Sequence, residues 1–123
     1  MDDPLAVSQR WWDAVWRDGR IDAIDELFTE PLIRHTGSGS ETVTRQAYKG
    51  RIAEAQRVLS RVHTRIDDRV VDGDRVWTRA TSAGINRETG EHSLVTWLIV
   101  QRIVDDRIAE QWVATFPGVD WSA

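Results

Sequence analysis

The chain has 123 residues, enough for one domain with a single core, and its 41% apolar and 29% charged residues are ordinary for a globular fold. A net charge of -4 with acids and bases interspersed lacks the basic footprint of a nucleic-acid binder. There is no Cys, which excludes disulfides, thiolate nucleophiles and thiolate metal sites, and no apolar run approaches the roughly 18 residues of a membrane span.

The start, Met1-Asp2-Asp3-Pro4, is acidic and runs straight into a helical pattern rather than a signal peptide, so a cytoplasmic protein is expected. Asp3-Pro4 reads as a helix N-cap followed by Pro in the first turn. Leu5, Ser8, Trp12, Val15 and Trp16 then recur at helical spacing, and Gly19 ends the helix near Arg17. Asp22 opens a short second helix through Leu27 and Phe28. Pro31 stops it and leads into the extended piece Leu32 to His35. Thr36 to Ser40 reads as a Gly/Ser loop. Thr42 or Thr44 caps a third helix whose inner side carries Ala47, Ile52, Ala55, Val58 and Leu59.

From Val62 the period changes to two. Val62–Val71 and Arg75–Ile85 are strands joined by the hairpin turn Asp72-Gly73-Asp74. Asn86–Gly90 is a longer hairpin loop, His92–Val104 a long strand, and Asp105-Asp106 a tight turn into the last strand, Arg107–Phe116. Three helices with one short strand among them, followed by a four-stranded meander, make an α+β domain with helices on one face of an antiparallel sheet. Leu94 to Val100 is apolar on both faces, which calls for cover on the second face. A partner copy is the economical cover, and the tail Gly118–Trp121 is the alternative.

Regular alternation along the last strand places Ile108, Glu110, Trp112, Ala114 and Phe116 on one face. A carboxylate two residues from an indole there suggests a lined cavity rather than a plain core. Seven Trp in so short a chain suit either a thick core or a pocket for a flat apolar ligand.

The stretch Arg10–Phe28, the strand ending at His35 and the run Arg107-Ile-Ala-Glu-Gln-Trp112 resemble the nuclear transport factor 2-like superfamily. Within it they look most like SnoaL-type polyketide cyclases, and more distantly ketosteroid isomerases. The resemblance spans nearly all of residues 1–123, as a single domain. It implies a cone-shaped barrel in which three N-terminal helices pack on a curved antiparallel sheet around a cavity. The superfamily hosts isomerases, cyclases, dehydratases, epoxide hydrolases and binding proteins, so fold alone does not select the chemistry. Carried over residue by residue, the isomerases' oxyanion-binding Tyr on the first helix falls at Trp12 and their basic Asp at His35. Their second oxyanion donor falls near Ile99, which is apolar. The acid/base Asp that many cyclases carry four residues after the Trp of the last strand falls at Phe116.

His35 is the leading candidate base, since imidazole exchanges protons near neutral pH; the alternative is a surface His bonded to the Gly/Ser loop. Glu110 is a candidate acid if buried against indole, or an ion-pair partner of one of the Arg residues. Asp13 is a third candidate, against a simple pair with Arg17 four residues on. Trp12, Trp16, Tyr48, Trp97, Trp112 and Phe116 are candidate pocket walls. The three His are scattered, with no metal-ligand spacing, so neither a metal nor another cofactor is expected. The expected partners are a small apolar ligand or substrate and a second copy of the chain, with no nucleic acid and no membrane. The leading reading is an acid/base enzyme (cyclase, isomerase or dehydratase type) acting on a small flat carbonyl compound such as a polyketide intermediate. A non-catalytic binder of a hydrophobic ligand and a dimerisation module of the same fold remain open.

Overall fold

The computed structural model describes residues 3–121. Helix α1, Pro4–Arg10, starts where the Asp3 carboxylate accepts the Ala6 N–H at 2.8 Å. It continues without a break into a π-helical segment, Trp11–Arg17. A 3₁₀ turn, Ile21–Ala23, leads into the short α2, Ile24–Leu27. Strands β1, Phe28–Thr36, and β2, Gly39–Val43, form a hairpin. Helix α3, Arg45–Val58, is capped by Thr44, whose hydroxyl accepts the Ala47 N–H at 3.1 Å. Strands β3, Leu59–Asp72, β4, Arg75–Asn86, β5, His92–Val104, and β6, Arg107–Pro117, complete the chain. No helix is long and apolar enough to cross a membrane.

The strands form one curved, unclosed sheet in the order β2-β1-β6-β5-β4-β3, with the helices against its inner face. Pairing is antiparallel except between β1 and β6, which run parallel. The segment expected to be a Gly/Ser loop therefore contains the start of an edge strand. β2 is polar and exposed except at Val43. An edge strand held by backbone hydrogen bonds needs no apolar alternation, so pattern reading passes over it. The turn at Asp105-Asp106 has positive φ at both residues, 51° and 63°, the geometry whose twist suits a two-residue hairpin.

Two local irregularities decide which side chains face inward. The first is the π-helical segment: the Asp18 N–H reaches the Asp13 carbonyl, five residues back, at 2.9 Å. The Val15 carbonyl within it instead accepts the Gln56 side-chain amide of α3 at 2.7 Å. In an ordinary helix Trp12 and Trp16 would share a face; with the longer repeat, Trp11 and Trp16 do. The second is a β-bulge. Ile103 pairs with Ile108 but Arg102 pairs with Glu110, which leaves Ala109 as an extra residue in β6. Ile108 is fully buried in the core beneath the helices, whereas Glu110, Trp112 and Ala114 turn to the opposite, outer face. The single-face grouping expected for β6 is corrected accordingly.

Candidate functional site

The sheet presents two candidate sites, one on each face. On the outer face, cross-strand partners line up in a row that spans all six strands: Val70, Trp77, Val100, Trp112, His35 and Ser40. His35 stacks on Trp112 with ring centroids 5.1 Å apart, and the Arg75 guanidinium carbon lies 5.2 Å from the Trp112 ring centroid. His35 Nε2 meets a Glu110 carboxylate oxygen at 2.5 Å, and Nδ1 meets the Ser40 hydroxyl at 2.6 Å. The second Glu110 oxygen accepts from Arg102 Nε at 3.0 Å. The two leading candidates thus come together, but each ring nitrogen of His35 is already engaged. The groove above them, about 670 Å³, is an open sheet surface on which Val70, Trp77 and Leu98 stand 57%, 50% and 40% exposed.

Burial alone would push the Glu110 carboxyl up, but hydrogen bonds from His35 and Arg102, with their charges, hold it below its ordinary value of 4.5. A depressed folded pKa adds stability that is complete above 4.5 and is lost as pH falls through the folded value. Urea unfolding between pH 6 and pH 3 is therefore expected to show a steeper acid loss in the wild type than in Glu110→Gln. At pH 6 the variant should be less stable by about 1.5–3 kcal/mol, the worth of a charge-assisted hydrogen bond. Parallel curves would show that the pair contributes nothing to folding.

The inner face holds a cavity of about 460 Å³ between β1, β5, β6 and the helices. Its walls include Trp11, Trp16, Trp97, Val113 and Phe116, and its polar lining comprises Arg34, Arg51, Tyr48, Gln111 and two Thr. The indoles form a cluster of edge-to-face contacts around Trp97, whose ring lies 6.5 Å from Trp11, 5.6 Å from Trp12 and 5.3 Å from Trp16. Trp97 is held by its own N–H, which donates to the Ser82 hydroxyl at 2.9 Å. Trp11 and Trp16 line the cavity, and their buried N–H groups have no acceptor among the described residues.

A buried polar relay supports one wall. The Ser8 hydroxyl of α1 donates to the Gln101 side-chain carbonyl at 2.5 Å, and the Gln101 amide donates to Gln111 at 2.7 Å. The Gln111 amide then donates to the Tyr48 hydroxyl oxygen of α3 at 3.0 Å. Ser8, Gln101, Gln111 and Tyr48 are all 0–1% exposed, so each polar atom needs its partner. The phenol oxygen accepts in this relay, which leaves its own proton free to donate elsewhere. Burial raises the Tyr48 pKa above its ordinary value of 10.0, against the opposing effects of the Gln111 hydrogen bond, Arg34 and Trp11, so the proton stays on at neutral pH. The Trp11 N–H approaches the same oxygen without reaching hydrogen-bond geometry.

Of the expected wall residues, Trp16, Tyr48, Trp97 and Phe116 line the inner cavity. Trp12 is 4% exposed and packs behind it in the core, and Trp112 lies on the outer face. Asp13 lines neither the outer groove nor the inner cavity: it accepts from the Gln9 amide at 2.9 Å and pairs with Arg17 at 3.4 Å. Trp11, Arg34 and Gln111, which also line it, were not among the expected wall residues. Each is one position away from an expected residue, and only the π-helical segment, the bulge or the pairing of β1 with β6 turns it inward.

Residues 8–111 match the SnoaL-like domain family. The chain belongs to that family. No protein of curated function matches this SnoaL-like chain significantly. Among solved structures it is similar to wild-type IdmH of Streptomyces antibioticus, described as a candidate polyketide cyclase. There the identity is 21% and the TM-score 0.82, with 93% of this chain and 92% of that one covered. It is also similar to a SnoaL-like polyketide cyclase of Agrobacterium tumefaciens (10% identity, TM-score 0.79, 94% and 93% covered). An epoxide hydrolase of Mycobacterium tuberculosis shares the fold at 15% identity and TM-score 0.73, with 92% and 82% covered. At these identities the likeness establishes the architecture of the SnoaL-like domain, and its inner face must speak for the chemistry.

Proposed function

We propose that the inner cavity binds a flat, mainly apolar carbonyl compound of the polyketide type and stabilises its oxygen as negative charge builds there. The observation that carries this reading is the lining: indole and aliphatic walls with hydrogen-bond donors that lack acceptors. A carbonyl oxygen placed there would take the Tyr48 O–H and the Trp11 N–H, and the surrounding rings would keep water from competing. His35 and Glu110 are not assigned to this chemistry, because they stand on the other side of the sheet. No carboxylate or imidazole lines the cavity among the described residues, which favours ligand binding without turnover as the second reading.

The test is calorimetric and Trp-fluorescence titration with two- to four-ring aromatic ketones on wild type, Tyr48→Phe and His35→Ala. Saturable binding is expected, weakened about two- to twelvefold in Tyr48→Phe, the range for loss of one net hydrogen bond, and kept in His35→Ala. No binding by any ketone, or loss confined to His35→Ala, would remove the inner cavity from consideration.

The outer row is proposed to pack against the same row of a second copy. The tail covers only one end of that face: Thr96 is fully buried and donates to the Val119 carbonyl at 2.5 Å. Trp77, Val70 and Leu98 stay uncovered, and large exposed apolar patches mark interaction surfaces.

A further inference from the structure

Charge in and around the inner cavity is unbalanced. Arg34 and Arg51 both line it, and no Asp or Glu does among the described residues. One carboxylate just outside serves both guanidinium groups. Glu41 pairs with Arg51 through both oxygens, and one of those oxygens lies 3.7 Å from Arg34 Nη1. Two cations against one anion leave one positive charge in excess.

The shape of Arg34 makes that excess specific. Its side chain is only 16% exposed and crosses the Tyr48 ring at 5.0 Å. Among the described residues its ion pair uses Nη1, and the buried Nε on the opposite edge has no partner. The Nε–Nη2 edge of a guanidinium is the side-on fork that fits the two oxygens of a carboxylate. A buried N–H left unpaired costs free energy, and a ligand oxygen that meets it recovers that cost. Arg34 pairs across the strands with Gln111, the residue that donates to Tyr48, and all three residues line the inner cavity.

We infer that the inner cavity selects flat aromatic compounds that carry a carboxylate, with Arg34 binding the carboxylate side-on through Nε and Nη2 while the aromatic body lies among Trp11, Trp16 and Trp97. This rests on the reading of the inner cavity as the ligand site and adds the charge class of the ligand. In that arrangement Tyr48 serves the carbonyl oxygen and Arg34 sets specificity.

The test uses two probes of one shape, 2-naphthoate and its neutral amide 2-naphthamide, titrated calorimetrically into the full chain at pH 7.5. Wild type is expected to bind the acid at least tenfold tighter than the amide. Arg34→Met should bring that ratio close to one, mainly by weakening the acid. Should Arg34→Met fail to fold, the wild type still decides: added NaCl should weaken 2-naphthoate and leave 2-naphthamide unaffected, since only the ion pair is screened. Equal affinities for the two probes, or a preference for the acid that survives in Arg34→Met, would overturn the carboxylate inference and leave the cavity reading intact. Failure of both probes to bind would overturn the two together.

Discussion

Trp11→Phe will weaken ligand binding in the inner cavity, and Trp12→Phe will not. Both indoles are nearly fully buried, at 1% and 4% exposure, so truncating either to Ala is expected to cost about 3–5 kcal/mol of stability through the void left in the core. Stability therefore cannot tell the two apart, and the conservative Phe substitutions are the informative pair. Phe keeps an aromatic ring and removes only the N–H and part of the ring volume. At Trp11 that removes a donor on the cavity wall, and affinity for an oxygen-bearing ligand should fall about two- to twelvefold. At Trp12 it removes an N–H that is buried without an acceptor, so folding should be little harmed and binding unchanged. The measurement is a Kd for one aromatic ketone on the two variants, alongside urea unfolding. The opposite pattern, with binding lost at Trp12, would mean that this segment is an ordinary α-helix in solution and that Trp12 pairs with Trp16.

Under the proposed pairing of two outer faces, Trp77→Glu is expected to separate the two copies. Trp77 lies second in the outer row, between Val70 and Val100, and is half exposed in the single chain. Burying a large apolar side chain contributes about 1.5–3 kcal/mol, and a two-fold interface uses each such side chain twice. A carboxylate there removes that gain and places charge in a desolvated contact. The dimer dissociation constant should rise at least 100-fold, with the inner cavity and its affinity for ligand unaltered. Sedimentation equilibrium of wild type and variant across the micromolar range reads this directly. A wild-type chain that sediments as a monomer throughout that range would show that the outer face is not a self-association surface. The groove above His35 and Glu110 would then be free for another ligand.

The architecture was legible because it depends on long, repeated signals. The helical spacing before Gly19, the capped helix after Thr44 and the period-two strands separated by Asp72-Gly73-Asp74 each involve many residues that agree with one another. The meander followed from short turns, which leave successive strands no option but to pair with their neighbours. The double-sided apolar run 94–100 is a strand whose inner face meets the core and helices and whose outer face belongs to the exposed row. Edge strand β2 was missed because its register comes from hydrogen bonds with β1 rather than from side-chain burial.

The site was legible only in its membership. Composition and sequence position by themselves determined the α+β class, left a thick Trp core and a Trp-lined pocket as alternatives, and singled out His35, Glu110 and Trp112 one by one; the structure brings His35 to 2.5 Å from Glu110 and 5.1 Å from Trp112. Which face each residue occupies was decided by tertiary structure. A repeat of five residues instead of four exchanges Trp12 for Trp11 at the cavity wall, and one extra residue in β6 sends Glu110 outward and Gln111 inward. Both shifts are small in chain length but complete in effect, since side-chain direction alternates every residue in a strand and turns by a large angle per residue in a helix. Neither leaves a mark in local sequence. The extended turn is favoured by a hydrogen bond from Gln56, more than 40 positions away, and the inward place of Gln111 by partners on β5 and α3. Those contacts exist only once the helices have packed on the sheet.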